Sequence, residues 1–242
     1  MTPRIFLGLP AFGQIINLQT TLSLLELQAR LYAEGISPGC FTGFSHPDIA
    51  DSRNILATIF LDATDCTHLL MVDADMQFEP DLVLDMLAFN YPVVGCLYPT
   101  KTYPLKFVMN GRADPQEIRR GFLRVDGVGA GVMLIRRDAL EQLKPHVISD
   151  PRIEKHGASG ILKEYNVQRL LRYFDIYDDG EHRFSEDLAF CRRWTDIGGE
   201  IWAAMNHKVI HIGLHGYSGK FSEVNKFLPM PVPSLPPVAA NG

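Results

Sequence analysis

Short apolar runs alternate with longer stretches of helical hydrophobic spacing throughout the first 97 residues, and this alternation constrains the fold more than any other feature. Such an alternation of strands and helices is typical of a parallel sheet that helices cover on both faces. We therefore predict an α/β fold with a mostly parallel sheet. The predicted strands cover 4–9 (closed by Pro10), 39–44, 67–72 and 92–97, and the predicted helices cover 17–33, 48–62 and 80–90.

The second half of the chain has a different pattern and predicts a smaller antiparallel part. Its apolar runs are short, and polar turns or glycine-rich segments separate them. We predict hairpin strands over 102–125 with a turn near Gly111, a glycine-rich segment and buried strand over 127–135, helices over 138–143 and 185–197, short strands over 201–204 and 209–212, and loops over 149–160 and 213–219.

Composition and length favour one globular domain followed by a tail. The chain has 242 residues, 46% of them hydrophobic, so it can bury most of its apolar surface without a metal or a disulfide. We assign residues 1–227 to a single domain and 228–242 to an extended or disordered tail, because prolines crowd the tail and proline cannot join a sheet interior. No apolar run approaches the roughly 20 residues of a membrane-spanning helix, and the N-terminus lacks a signal-peptide pattern. We therefore expect a cytoplasmic protein.

Two aspartates follow the most clearly buried predicted strand, at the edge of the sheet where ligands bind in open parallel folds. Alternate residues of extended chain point to the same side, so Asp73 and Asp75 can converge on one object. Two close carboxylates repel unless a cation lies between them, and a hard divalent cation completes its coordination with phosphate oxygens. Aspartates also start helices and cap turns, so the spacing alone leaves both a metal site and a structural role open.

Three further features stand beside the aspartates. Glu186 and Asp187 open a predicted helix, where the helix dipole favours acids and where a rigidly held carboxylate can also act as a general base. His211 ends a short predicted strand, which suits either a structural histidine or a metal ligand. The glycines of 127–131 either form a bulge or let a substrate lie close to the backbone.

Several segments, taken in chain order, carry a family resemblance that no single one carries. They are Gly8-Leu9-Pro10, Ser52-Arg53-Asn54, Leu70-Met71-Val72-Asp73-Ala74-Asp75, Val93-Val94-Gly95, 129–137, 185–194 from Ser185 to Trp194, Gly198-Gly199 and His211-Ile212-Gly213. The combination resembles glycosyltransferases of the GT-A fold, close to the family-two group and to small viral, phage and bacterial relatives. The resemblance covers about residues 4–221. It implies a Rossmann-like, mostly parallel sheet flanked by helices, with a smaller antiparallel part on the acceptor side.

The resemblance also implies a role for each matching residue. Asp73 and Asp75 match the DxD motif, in which the second aspartate usually binds Mn²⁺ or Mg²⁺ and the first lies near the ribose and the metal; His211 matches a later metal ligand. Asp187, or failing that Glu186, matches the carboxylate that takes a proton from the acceptor hydroxyl. The residues expected to hold or line the nucleotide sugar are Pro10, Ala11, Phe12, Arg53, Asp73, Ala74, Asp75, Gly129, Ala130 and Gly131.

These roles imply a metal-dependent transfer of a sugar from a nucleotide-sugar donor, expected to be a UDP-sugar, to a hydroxyl acceptor. With one base opposite the leaving group, we expect inversion by a single displacement. The acceptor stays open between a glycan and hydroxymethylated bases of phage DNA, because residues 101–137 carry eight basic and three acidic residues although the net charge of the chain is −5. The sequence also leaves the oligomeric state open.

Two other classes of protein remain as alternatives. A nucleotidyltransferase also combines an α/β sheet with a metal-binding carboxylate, but it would be expected to carry a basic, glycine-rich phosphate loop after the first strand. That position reads Pro10-Ala11-Phe12-Gly13-Gln14, without a basic residue. A nucleotide- or carbohydrate-binding module that has lost turnover is disfavoured because both acidic pairs and His211 are present.

Overall fold

The computed structural model describes residues 2–44, 46–111, 117–178 and 180–224. The predicted domain boundary at 227/228 and the predicted tail therefore lie outside the described residues. The helices are α1 (Leu18–Ala33), α2 (Ile49–Ala63), α3 (Pro80–Phe89), α4 (Arg137–Leu143), α5 (Pro151–His156), α6 (Gly160–Glu164), α7 (Glu186–Asp196) and α8 (Phe221–Val224). The strands are β1 (Arg4–Pro10), β2 (Ser37–Phe44), β3 (His68–Val72), β4 (Met76–Gln77), β5 (Val93–Cys96), β6 (Met109–Gly111), β7 (Ile118–Arg119), β8 (Phe122–Val128), β9 (Val132–Arg136), β10 (Tyr177–Asp178), β11 (Arg183–Phe184), β12 (Ile201–Ala204), β13 (Val209–Ile212) and β14 (Gly216–Gly219).

One large sheet forms the centre of the fold, with the strand order β2-β1-β3-β9-β5-β12-β8-β6 and with β7 beside β8. Strands β1, β2, β3, β5 and β12 run in the same direction, as the sequence predicts for the first half. Strands β9 and β8 run against them, and β9 separates β3 from β5. Two small antiparallel sheets, β10-β11 and β14-β13-β4, form the smaller part.

Helices cover both faces of the large sheet, and each face has its own hydrophobic cluster. One cluster joins α2, α4 and α7 to the sheet through side chains such as Phe60, Leu140 and Phe190. The other joins α1 and α3 to the opposite face through side chains such as Leu27 and Met86. The predicted fold class, an α/β fold with a mostly parallel sheet flanked by helices and a smaller antiparallel part, is confirmed.

Local sequence signals account for where the main helices begin and end. Asp48 caps α2, because its carboxylate accepts hydrogen bonds from the backbone N–H groups of Ala50 (2.7 Å) and Asp51. Helix α3 begins at Pro80, a favoured first position, and ends where Asn90 adopts the left-handed conformation (φ 56°).

Strand β8 contacts three other elements of the fold. Its first residues pair with β12 and its last two, Gly127 and Val128, pair with β6 in the same sheet, while the Cys191 thiol of α7 donates to the carbonyl of Val128. A Cβ on Gly95 of β5 would lie 2.5 Å from a methyl carbon of Val128, so the end of β8 lies over that glycine.

Two predicted loops contain regular structure. The segment 149–160 includes α5 and the start of α6, because Asp150 accepts from the Arg152 N–H (2.8 Å) and Pro151 occupies the first helical position. The glycine-rich segment 213–219 includes β14, which pairs with β13. The prediction of an uninterrupted loop was therefore wrong in both places. The turn was predicted near Gly111, which ends β6; the residues that follow it, 112–116, lie outside the described range.

Candidate functional site

The candidate site lies where β3 ends, between the sheet and the start of α7. The backbone N–H of Asp73 donates to the carbonyl of Gly131 (2.9 Å), which joins the aspartate segment to the turn that leads into β9. On the other side, β13 pairs with β4 directly after Asp75, and the Ile212 N–H donates to the Asp75 carbonyl (2.8 Å). The predicted site residues thus come from six separate parts of the chain: the end of β1, α2, the segment after β3, the turn before β9, the start of α7 and β13.

Arg53 is the side chain that joins these parts. It lies on α2 and its side chain is only 3% exposed. Its Nη2 donates to Asp73 Oδ1 (2.9 Å), its Nε donates to Glu186 Oε1 (3.4 Å), and its Nη1 donates to the carbonyl of Ala130 (3.5 Å). One buried guanidinium therefore connects the aspartate segment, the acidic start of α7 and the glycine turn.

The buried charged groups of the site shift one another's pKa values. Burial lowers the pKa of Arg53, but the carboxylates of Asp73 and Glu186 outweigh burial and raise it. Burial raises the pKa of Asp73 and of Glu186, although the Arg53 guanidinium opposes both shifts. Asp75 adds to the increase at Asp73 through like-charge repulsion. Perturbed carboxyl groups of this kind concentrate at functional sites.

Asp75 and His211 form the second half of the site. His211 Nε2 lies 3.6 Å from Asp75 Oδ2, and Lys101 Nζ donates to the same carboxylate oxygen. Burial raises the pKa of Asp75, but the neighbouring His211 and Lys101 side chains outweigh burial and leave it lowered. His211 Nδ1 lies 3.0 Å from the carbonyl of Pro99, so Nδ1 carries the proton and Nε2 faces Asp75.

This donor set fits a divalent cation in part. A histidine that donates one ring N–H to a backbone carbonyl and presents the other nitrogen beside a carboxylate has the arrangement of a metal ligand. Among residues 2–44, 46–111, 117–178 and 180–224, however, no three His, Cys, Asp or Glu side chains cluster as a complete metal site. Asp73 faces Arg53, so Asp75 and His211 are the pair brought together. Phosphate oxygens and water would have to complete the coordination, as they commonly do for Mg²⁺.

The acidic pair lies at the first turn of α7, as predicted. Ser185 occupies the N-cap position, but its side chain caps no backbone N–H; its hydroxyl donates to Asp187 Oδ1 instead. The Leu188 N–H donates to the same oxygen (2.8 Å), so Asp187 is held by Oδ1. Glu186 turns toward Arg53. The two neighbouring acids therefore have different surroundings.

The predicted donor residues at the end of β1 lie beside the aspartate segment, because β1 pairs in parallel with β3. Pro10 and Ala11 are buried, and Phe12 begins a short 3₁₀ turn and is 72% exposed. The carbonyl of Ala74 accepts three hydrogen bonds, from the N–H (2.9 Å) and side-chain amide (3.3 Å) of Asn17 and from the Thr20 hydroxyl (3.1 Å). The start of α1 thereby fixes the backbone between the two aspartates.

The glycine turn is buried and packs against a tyrosine. A Cβ on Gly129 would lie 2.1 Å from the Tyr98 hydroxyl oxygen, and one on Gly131 would lie 2.8 Å from its ring. The absence of side chains at both positions therefore makes room for Tyr98. The ring of Tyr98 also meets His211 edge-on at 5.4 Å. The predicted substrate-lining role of Gly129–Gly131 stays a prediction.

Sequence reasoning missed Tyr98 and Lys101, which lie on the segment after β5 and reach the site only through the fold. It also missed an aromatic pair beside them. Tyr103 is 68% exposed, and its ring lies 5.2 Å from that of Tyr217, which is opposite His211 in the β13–β14 pairing. Because each contact spans more than a hundred residues or depends on loop conformation, no local pattern signals it.

The basic segment 101–137 is mostly paired within the chain. Four of its cations form ion pairs with carboxylates: Lys101 with Asp75, Arg119 with Glu117, Arg124 with Glu117 and Glu200, and Arg136 with Asp138. Arg137 donates to the carbonyls of Phe60, Leu61, Thr64 and Cys66. Five of the seven described cations of this segment are therefore engaged by groups within the chain.

Comparisons with known proteins identify a fold and no family. No protein-family model and no curated protein matches the chain. Among solved structures, A197 from STIV matches at a TM-score of 0.50 and 20% identity, covering 87% of this chain and 86% of that one. A Drosophila beta-1,4-galactosyltransferase 7 mutant with manganese, UDP-Gal and xylobiose matches at 0.43 and 15% identity (85% and 66% covered). The inositol-1-phosphate CTP transferase from T. maritima matches at 0.43 and 10% identity (88% and 89% covered).

These similarities concern the fold alone, since all identities are low. The expected fold is confirmed in that sense. In the part of the chain that the structure describes, no helix has both the length and the apolar character needed to cross a bilayer.

Proposed function

We propose that this chain is a metal-dependent glycosyltransferase that moves a sugar from a UDP-sugar to a hydroxyl acceptor, in the cytoplasm. One observation carries the proposal: the buried guanidinium of Arg53 contacts both Asp73 and Glu186. The side of the site expected to hold the donor and the side expected to hold the base are therefore within reach of one side chain. A reaction between two substrates needs this proximity.

Asp75 and His211 would hold the cation, with Asp73 and Arg53 beside them. A divalent cation bound there would neutralise the charge that develops on the leaving diphosphate, most strongly in the transition state. Lys101, which contacts Asp75, supplies a positive charge on the same side. The Ala74 carbonyl is fixed by α1, so the spacing of the two aspartates does not depend on the donor.

Asp187 is the proposed base. Both described hydrogen bonds that hold its carboxylate reach Oδ1, which leaves Oδ2 to accept the proton of the acceptor hydroxyl. The acceptor oxygen then forms a bond to the anomeric carbon of the sugar, and the bond from that carbon to the phosphate oxygen breaks with its electron pair on the diphosphate. Attack opposite the leaving group inverts the anomeric centre. Glu186 stays paired with Arg53 and positions it.

A saccharide acceptor fits the described surface better than DNA. The exposed ring of Tyr103 adjoins that of the half-buried Tyr217 beside His211, and the C–H face of a sugar ring packs against such rings. DNA binding needs unpaired cations for the phosphates, whereas the cations of 101–137 are mostly engaged within the chain.

Thermal unfolding with UDP, with and without Mn²⁺, tests the donor side. A ligand that binds only the folded state at 100 times its Kd adds about 2.7 kcal/mol to the free energy of unfolding. We expect a Mn²⁺-dependent rise in Tm with UDP, its loss in Asp75→Asn and His211→Ala, and its retention in Asp65→Asn, whose carboxylate is exposed and pairs with Arg4. An equal rise without Mn²⁺ would contradict the proposed cation site.

The products distinguish the two enzyme classes that share the fold. A glycosyltransferase incubated with UDP-sugar and Mn²⁺ releases UDP, either by transfer or by slow hydrolysis. A nucleotidyltransferase incubated with a nucleoside triphosphate and a sugar phosphate releases pyrophosphate. Pyrophosphate release that depends on Asp75, without any UDP release, would replace the proposed function by the second one.

A further inference from the structure

Helix α1 has an exposed apolar stripe with the spacing of a helix–helix seam. Leu18, Leu22, Leu25, Ala29 and Tyr32 follow one another at intervals of four, three, four and three residues, and all five are exposed. Intervals that alternate between four and three keep side chains on one line of a helix and are the repeat by which two helices pack together. We call these five residues the α1 stripe.

The α1 stripe lies on the helix face opposite to the one that packs on the protein. The buried positions of α1 are Thr20, Ser23, Leu27 and Leu31, about half a helical turn away from the stripe. Leu25 also lines an apolar cavity between α1 and strands β1 and β2, whereas the other four stripe residues do not. A row of leucines that the core does not use is not needed for folding of the single chain, and it calls for a partner.

The size of this surface suits a protein interface. The large side chains of the stripe, together with Ile15 just before α1, are between 49% and 72% exposed. With roughly 150–250 Å² for an aromatic side chain and somewhat less for an aliphatic one, they present on the order of 550 Å². Each partner of a small, reversible interface contributes up to about 600 Å².

The charges around the stripe favour a protein partner over a membrane surface. Helices that lie on membranes carry Lys and Arg beside their apolar face. Helix α1 contains no lysine, and its one arginine, Arg30, pairs with Glu34 (3.2 Å) and with Asp81 (3.8 Å). The residues that border the stripe include the uncharged Gln19 and Gln28, which suit the rim of a protein–protein contact.

We propose that the α1 stripe is the contact surface of a homodimer, in which α1 of one chain packs against α1 of a second copy around a two-fold axis. The same patch then meets itself, and a seam of leucines on both sides gives matched surfaces. The proposal does not depend on the chemistry of the site. It does connect the helix of the dimer contact to that site, because the Thr20 hydroxyl on the first turn of α1 donates to the Ala74 carbonyl.

Sedimentation velocity of the full-length chain over a range of concentrations tests this proposal. We expect a species of twice the 27.1 kDa chain mass that dissociates on dilution. The double variant Leu22→Glu, Leu25→Glu should raise the dimer Kd at least about 100-fold, since interface centres dominate affinity. Leu214→Glu, at a 98% exposed leucine outside the stripe, is the matched control and should leave the Kd unchanged.

A charge-swap experiment distinguishes a specific contact between two α1 helices from nonspecific hydrophobic association. The variant Leu22→Lys, Leu25→Lys should also be monomeric, and mixing it in equal amounts with the Glu variant should restore a dimer. Circular dichroism and Tm should match the wild type in both variants, because the replaced side chains are exposed. A wild-type chain that stays monomeric at about 100 μM, a dimer that survives both substitutions, or a mixture that stays monomeric would each overturn the proposal. So would stripe-dependent binding of the monomer to phosphatidylcholine/phosphatidylserine vesicles.

Discussion

Replacing Arg53 with methionine removes the guanidinium that contacts both Asp73 and Glu186, while methionine retains much of the buried side-chain volume. The carboxylates remain in surroundings that already raise the pKa of each of them, and they lose the cation that opposes the increase. Removing one partner of a buried ion pair typically costs about 3–5 kcal/mol. Asp73 and Glu186 keep some contact with water, with side chains 24% and 16% exposed, so we take the lower end, about 3 kcal/mol. At 2–4 °C per kcal/mol for a chain of this size, the expected fall in Tm is roughly 6–12 °C.

The sign of the pH dependence gives the sharper test. A carboxyl group with a native pKa above its unfolded value binds more protons in the folded state, so lowering the pH stabilises the fold relative to neutral pH. Without Arg53 the native pKa values of Asp73 and Glu186 rise further. The stability deficit of Arg53→Met should therefore be largest near about pH 7.5 and should shrink toward about pH 5.

Denaturant unfolding of both proteins at a series of pH values measures this deficit. Arg137→Met is the matched control: its guanidinium is also partly buried, but it donates to the backbone carbonyls of Phe60, Leu61 and Thr64, which do not titrate. Its deficit should stay constant with pH. A pH-independent deficit in Arg53→Met, or the same pH trend in both variants, would refute the electrostatic account of Arg53.

Three further predictions concern single substitutions. Gly95→Ala should destabilise the chain by about 1–3 kcal/mol in denaturant unfolding, because the new methyl group would lie 2.5 Å from Val128. Asp187→Asn should lower kcat by roughly 10²–10⁴ and leave the Kd for UDP unchanged, since a general base acts only in the chemical step. Tyr103→Ala should raise KM for a saccharide acceptor several-fold with little change in UDP release by hydrolysis, because it removes ring surface that adjoins Tyr217.

Each of these substitutions has a control on the same chain. Gly111→Ala places its methyl group 3.3 Å from the flexible end of Met109 and should be close to neutral. Asp196→Asn removes an exposed carboxylate at the other end of α7 and should leave kcat unchanged. Tyr103→Phe retains the ring and should retain KM. A full loss of kcat in Asp196→Asn would contradict the role of Asp187 as general base. Equal effects of Ala and Phe at position 103 would contradict a contact between the Tyr103 ring and the acceptor.

The alternation of strands and helices was a reliable guide because each element of the first half carries its own signal. Strand β3 is fully buried and reads as a continuous apolar run, and α3 has proline at its start and a left-handed Asn90 at its end. The position of Asp73 and Asp75 after β3 follows from that strand. Glu186 and Asp187 were predicted at the start of α7 because the helix dipole favours acids in the first turn of a helix.

The insertion of β9 between β3 and β5, and the position of the end of β8 over Gly95, could not be predicted from the sequence. Strand order depends on contacts between distant segments, and the apolar run of β9 fits a parallel or an antiparallel neighbour equally well. The contact between Arg53 and Glu186 joins residues that are 133 positions apart, so no local sequence pattern predicts it. Helix α5 was a different failure, because Asp150 followed by Pro151 is a recognisable helix start that the polar composition obscured.

The length of β8 determines how the elements that contact it are positioned relative to one another. One end is registered against β12, and the other pairs with β6 and accepts a hydrogen bond from Cys191 of α7, so the number of residues in between fixes the register of these contacts. Inserting one residue in β8 would lengthen it by about 3.3 Å and turn every following side chain to the opposite face. Variation in this strand is therefore expected to be confined to the identity of side chains, whereas insertions and deletions should be tolerated elsewhere on the surface.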